Sequence, residues 1–449
     1  MLRDQHGLEI SATTPNTAQA YDAAITAFLK YRVDAPQKTK ALLSADPDFA
    51  LGHCLSGYLA MLSYKQANVP AAAKAAQAAR SLTDRATARE RAHIEALDVW
   101  TNGRMDKALG IWDRIVAEHP TDILAFRLAH FGHFWSGKPE AMRASVDQAF
   151  PHWGAELPAY GSMLACKCFA YEECGDYTTA EKAGLAALEI DRGDFWGAHG
   201  VAHVMEMQGR YREGIDLLTR LEPHWDGGSN IVHHLWWHRS MFHLERREFD
   251  AVLDLYDNKF RNLSSALTTA QPDVYIDVQN AASMLFRLEL NGVDVGDRWI
   301  EIADKAEARI GDCLSAFTLP HWMMALAATG RDDAASRMLE SMQTYGSADC
   351  EPDAIVRTVA APVSAAVVAH RKRDYRRAVD LMRPVLSDMA RLGGSHAQQD
   401  VLEQLFLSAA LRAGRMDDVR LLLDRVQTRH PVSPENRIGY AEAARQLNS

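Results

Sequence analysis

What this chain lacks narrows it first. Basic residues are outnumbered over its 449 residues, 49 Lys and Arg against 59 Asp and Glu, and the formal charge of -10 speaks against nucleic acid as a partner. Long apolar runs are missing too. The longest, around Ala360 to Ala369, reads as too short to span a bilayer, and Met1-Leu2-Arg3-Asp4-Gln5-His6 has no apolar signal-peptide core, so no membrane is expected. The cysteines Cys54, Cys166, Cys168, Cys174, Cys313 and Cys350 are scattered and include no C-x-x-C pair. That argues against a zinc knuckle or a disulfide framework and suits a reducing cytoplasm. Walker loops, dinucleotide fingerprints, H-E-x-x-H and G-x-S-x-G are all absent, which removes the enzyme classes that carry such motifs and leaves those that do not.

What is present is a repeat. An offset of 34 places Gly175-Asp176-Tyr177 on Gly209-Arg210-Tyr211, Ala180 on Gly214 and Gly103 on Gly137, which is the tetratricopeptide period. Each unit reads as helix A, a tight turn at Gly, then helix B with a small residue where the two helices approach. Units start near Cys54, Arg89, Ile123, Gly161, Phe195, His233, Ala316, Val359 and Asp400, and Pro120 and Pro431 fall where a proline ends helix B. The insertion Phe150-Pro151-His152-Trp153-Gly154 breaks the register. No linker rich in Pro, Gly or Ser divides the chain, so one all-α, tetratricopeptide-type α-α superhelical solenoid is expected over 1–449. Within it, 1–50 reads as capping helices, with a helix pair over Thr17 to Lys30. Regular repeats occupy 54–260, 261–312 fits only loosely, and 313–449 holds the C-terminal repeats. So many helix pairs should coil until the C-terminal units approach the middle ones.

Two segments stand apart from this scaffold. Trp196 to Glu206 contains His199 and His203, and His233-His234-Leu235-Trp236-Trp237-His238 contains His234 and His238, each pair four residues apart and so on one helix face. Counted from Phe195, His199, His203 and Glu206 take the fifth, ninth and twelfth places of helix A, the places that face the concave side. Three chemistries suit these residues. His199, His203, Glu206 and His238 could ligate a divalent metal, with His234 completing the set. His203, His238 and Glu206 could instead serve as acid and base in a groove walled by Trp196, Trp236 and Trp237. Or the imidazoles and carboxylate form a rigid polar seam between helices.

His93 and Arg127 also take fifth places and could extend the polar lining, or be ordinary solvated surface. Cys166 and Cys168 read as packing residues. Gly393-Gly394-Ser395-His396-Ala397-Gln398-Gln399-Asp400 could cradle an anion at a helix N-terminus or be an ordinary turn, with Ser395 as a natural cap.

The chain resembles the tetratricopeptide repeat protein 38 family, as a bacterial member, over most of its length. The resemblance rests on Arg89-Glu90-Arg91-Ala92-His93, Pro120-Thr121-Asp122, Trp196 to Met207, His234-Leu235-Trp236-Trp237-His238, Tyr256-Asp257, Ser283 to Leu288, Val295-Gly296-Asp297-Arg298-Trp299, His321 and Gly393-Gly394-Ser395 with Ala397-Gln398 and Asp400. It implies a helical-repeat fold and no defined reaction. It singles out His93, His199, His203, Glu206, His234, His238, His321, Gln398 and Asp400. The sequence departs from the family pattern at Asn280, where an aspartate is expected, near Leu319, where an acid is expected, and at His396 and Gln399, which replace an asparagine and an arginine.

Two functions follow from this reading. The first is a concave pocket that binds a small molecule through His93, His199, His234, Trp196, Trp237, His321, His396, Gln398 and Asp400, with histidine-assisted hydrolysis or proton transfer at His203, His238 and Glu206. No organic cofactor is expected, and a divalent metal is the one inorganic candidate. The second is an interaction scaffold that holds a peptide or partner helix, for which the sequence defines no oligomeric state.

Overall fold

A computed structural model describes residues 1–347 and 349–448; Ala348 and Ser449, both inside the expected solenoid, lie outside the described residues. The chain is all-α and built from antiparallel helix pairs of the tetratricopeptide type. Ala88–Thr101 packs on Met105–Glu118, Ile123–Trp135 on Pro139–Ala149, and Tyr160–Glu173 on Tyr177–Ile190. The expected glycines make the turns inside the pairs. Gly103, Gly137, Gly175 and Gly209 all have φ between +63° and +80°, a conformation that costs other residues steric strain.

The two helices of a pair divide the work of burial. Tyr211–Leu221 buries Gly214, Leu217, Leu218 and Leu221, a single stripe at helical spacing, and leaves its charged face to water. Helix A is covered on nearly every side. Ile123–Trp135 buries eleven consecutive or near-consecutive residues, and Tyr275–Leu290 buries everything from Asp277 to Leu288. Polar side chains on such helices cannot reach solvent, so each must find its partner inside. At Gly214 two helices come together tightly: a Cβ there would enter the Phe242 ring of the next helix.

By their contacts the residues group into two units, Met1–Val201 with Pro223–Ile231, and Ala202–Glu222 with Val232–Ser449. The first unit opens differently from the expectation. The segment 17–30 is not a helix pair: Pro15–Leu29 is one helix, capped by Thr14 and packed on Ala35–Ala45. Ahead of it lies a two-stranded antiparallel ladder, Leu2 opposite Ile10 and Arg3 opposite Glu9, too short for a sequence pattern to register.

The second unit corrects two further readings. The segment 261–312 is irregular only in its first half, where the short helix Ala266–Ala270, following a π-turn at Tyr256–Phe260, lengthens the connection. Tyr275–Leu290 and Arg298–Ala308 then form an ordinary pair, displaced from the 34-residue register by that insertion. The apolar run at 360–369 belongs to a longer helical stretch, Glu351–Arg371, which by length and composition could cross a bilayer, although the sequence run looked too short. This stretch carries a π-turn at Val356–Ala360 and buries Val359, Ala360, Val363, Ala366 and Val367, packing through Ala361–Arg371 on Thr318–Ala328.

Candidate functional site

The Phe195–Met207 helix begins where the Asp194 side chain accepts the Gly197 amide at 2.8 Å and ends at the Gly209 turn. The division between the units falls within it, after Val201. His203 and Glu206 therefore belong to the second unit and His199 to the first.

In the second unit, His203 and Glu206 meet His234 and His238 of the Ile231–Glu245 helix. The His203 and His238 ring centres are 4.5 Å apart, and those of His234 and His238 are 4.6 Å apart. All three rings are buried, and each can bring one ring nitrogen within 4.8 Å of the other two. Two of them are held from behind. His238 Nδ1 hydrogen-bonds to Glu206 Oε2 at 2.9 Å, and His234 Nδ1 to Asn280 Oδ1 at 2.8 Å. Trp237 lies flat on His234, with centroids 5.1 Å apart and planes 8° from parallel. Next to these, His233 Nδ1 bonds Asp277 at 3.0 Å.

Burial sets the protonation of this centre. It lowers the His238 pKa to about 3 and pushes those of His203 and His234 well down, their neighbouring imidazoles adding to the effect. The same burial raises Glu206 to about 8, against the pull of Arg287. The imidazoles are thus neutral at neutral pH, the form in which a ring nitrogen offers a lone pair.

Asp400, on the His396–Arg412 helix, is the other hub of this unit. Its Oδ1 accepts from Arg437 at 2.6 Å and Tyr440 at 2.5 Å, and its Oδ2 from Gln404 at 2.6 Å and Arg287 at 3.3 Å. Burial opposes its charge, but Arg437 and Arg287 hold its pKa down at about 2. Gln398 Nε2 donates to Gln279 at 3.2 Å, and the Glu245 carboxylate accepts the Ile438 amide at 3.0 Å. The C-terminal helices of this unit therefore do reach its earlier ones, as the coiling argument expected. Ser395 and Gln398 form a reciprocal capping box, so the Gly393-Gly394-Ser395 turn caps its own helix. His321 Nδ1 donates to the Phe317 carbonyl at 2.8 Å, and burial lowers its pKa to about 4.

A cleft lined by Glu206, His396, Gln399, Asp400 and Arg437 has a volume of about 20 Å³, room for roughly one water.

In the first unit, His93 is a buried structural link and not groove lining. Its Nε2 bonds Asp122 at 3.0 Å, Arg89 bonds the same carboxylate oxygen at 2.6 Å, and Tyr58 donates to the His93 carbonyl at 2.8 Å. Asp122 also caps Ile123–Trp135 through the Ala125 amide. Burial works against the Asp122 charge, yet His93 and Arg89 depress its pKa far below the usual carboxylate range. Arg127 is buried as well, its guanidinium 4.6 Å from the Phe131 ring, 4.9 Å from Trp196 and 5.1 Å from Tyr31, with Cys166 accepting from Nη1 at 2.8 Å. His199 packs between Trp196 and Phe169, at 4.5 and 5.0 Å.

The structure thus gathers His203, Glu206, His234, His238 and Trp237 in one place, and Gln398, His396 and Asp400 around a second. His93, Trp196 and His199 sit in the first unit. Sequence reasoning gave no site role to Asp122 and Arg287, which it named only within the strings that carry the resemblance, and passed over Arg437 and Tyr440. Arg287 had a usable signal, since it stands alone in Ala281 to Leu288, an otherwise almost wholly uncharged and apolar stretch. Arg437 and Tyr440 had none, because they follow the last repeat.

No known protein-family profile matches the chain. Among solved structures it is similar to yeast Tom70, at 10% identity over 96% of this chain and 86% of that one, with a TM-score of 0.39. It is also similar to a chain of Naa15/Naa10 bound to HypK-THB, at 12% identity over 96% of this chain and 66% of that one, TM-score 0.25. A third is the P58(IPK) TPR domain, at 11% identity over 89% and 99%, TM-score 0.20. The fold assignment stands on the helix pairs themselves and not on these likenesses.

Proposed function

We propose that this protein is a helical-repeat interaction scaffold whose partner is a polypeptide, the second of the two functions read from its sequence. The observation that carries this reading is how the expected pocket residues are used. Asp400 is saturated by four side-chain donors, Gln398 is engaged in a cap and with Gln279, and His93 is tied to Asp122. The cleft beside Glu206 and Asp400 has room for roughly one water, whereas pockets for small molecules run to about 300–1,000 Å³. Buried polar links of this kind lock the helices in one arrangement. A scaffold held rigid in this way loses little entropy when a partner is laid along its repeats.

The resemblance to the tetratricopeptide repeat protein 38 family belongs to this reading, as does a cytoplasmic location. A small-molecule site with chemistry at His203, His238 and Glu206 is the competing function. Crosslinking the full chain in its own cells, then reconstituting each crosslinked polypeptide with purified protein, separates the two. The expected result is a saturable complex by calorimetry. A metabolite that raises Tm by about 5 °C or is turned over, with no polypeptide reconstituting, overturns the scaffold reading.

A further inference from the structure

We propose that His203, His234 and His238 hold a divalent transition-metal ion of the zinc type inside the second unit, with Glu206 and Asn280 as the groups that orient its ligands. The inference goes beyond the scaffold reading and does not depend on it. It begins from the convergence of three buried imidazoles, each able to place a nitrogen within 4.8 Å of the other two. A tetrahedral zinc ion with bonds of about 2.0–2.1 Å sets its ligand nitrogens about 3.4 Å apart, so small ring rotations close the site.

The second observation concerns the far side of the rings. With His238 Nδ1 engaged by Glu206 at 2.9 Å and His234 Nδ1 by Asn280 at 2.8 Å, Nε2, on the opposite side of each ring, is the nitrogen that would ligate an ion. A carboxylate or amide oxygen behind a metal-binding histidine fixes the ring and raises its basicity, and two of the three rings have one. Trp237, flat against His234, prevents that ring from turning away. The donor set is all imidazole, which suits zinc, nickel, cobalt or copper and not the hard ions calcium and magnesium. Three ligands leave part of the coordination sphere to water or another donor.

The test uses the purified full chain, stripped with a chelator and titrated with Co²⁺ and then with Zn²⁺. The expected result is one equivalent of Co²⁺ bound with the visible absorption of a tetrahedral site, displaced by one equivalent of Zn²⁺, and a Tm that rises on loading. His238→Gln should weaken Zn²⁺ affinity at least 100-fold. Glu206→Gln, which replaces the carboxyl behind His238 with an amide of the same size, should weaken it about 10- to 100-fold. Absence of stoichiometric binding and of the Co²⁺ spectrum in the wild-type chain overturns the proposal. So does a His238→Gln protein with native circular dichroism and undiminished affinity. If the variants fail to fold, the wild-type spectrum decides alone.

Discussion

Replacing Asp400 with Asn tests the central claim about how the second unit is held together. The substitution keeps side-chain volume and opens no cavity, but it turns one acceptor oxygen into a donor. Whichever way the amide faces, it meets an arginine and a second donor: Arg437 with Tyr440 on one side, Arg287 with Gln404 on the other. The Arg287 side chain is fully buried, so water cannot take the place of the lost charge. Two routes give the magnitude. The fall of the Asp400 pKa from 3.8 to about 2 corresponds to about 2–3 kcal/mol, at about 1.4 kcal/mol per unit. Breaking a buried ion pair by removing one partner costs about 3–5 kcal/mol. A loss of about 3 kcal/mol satisfies both. Native-state hydrogen exchange then reads it locally, as protected amides of His396–Arg412 exchanging roughly 100-fold faster. Because the folded pKa is depressed, the wild-type contribution is complete above about pH 4 and fades as pH falls toward about 2. The variant should lack that acid-labile component. A change below about fivefold, or an unaltered acid profile, would refute the argument.

Two further outcomes follow from the same kind of reasoning. Asp122→Ala should destabilise the first unit by about 3–5 kcal/mol, since it strips Arg89 and His93 of one carboxylate and uncaps Ile123–Trp135; the wild-type contribution, again from a depressed pKa, should be lost only in acid, and urea denaturation at neutral and acid pH measures both. Gly214→Ala should cost about 1–3 kcal/mol despite alanine's better helix propensity, because its methyl group enters the Phe242 ring, and a wild-type Tm would contradict the close approach.

Much of the architecture was legible because it is local. Turn glycines recur at 34 residues, and helix A starts where a cap or a buried run begins: Ile123 behind Asp122, Phe195 behind Asp194. The face shared by His203 and Glu206, and that shared by His234 and His238, follow from helical spacing alone. The strands at Leu2–Arg3 and Glu9–Ile10 were not legible, since two residues carry no period. Nor was the pair Tyr275–Leu290 and Arg298–Ala308 placed correctly, since an insertion of unknown shape lay ahead of it.

The chain by itself therefore determined that there would be helix pairs, where most of them turn, and which histidines share a face. Those properties depend on residues no more than one repeat apart. Only the tertiary structure decided that Asn280 stands behind His234, that Asp400 answers arginines 113 residues before it and 37 after, and that Glu245 takes the Ile438 amide. The physical reason is burial. A polar group on a covered helix must pair with whatever the fold brings to it, and no local rule names that partner in advance.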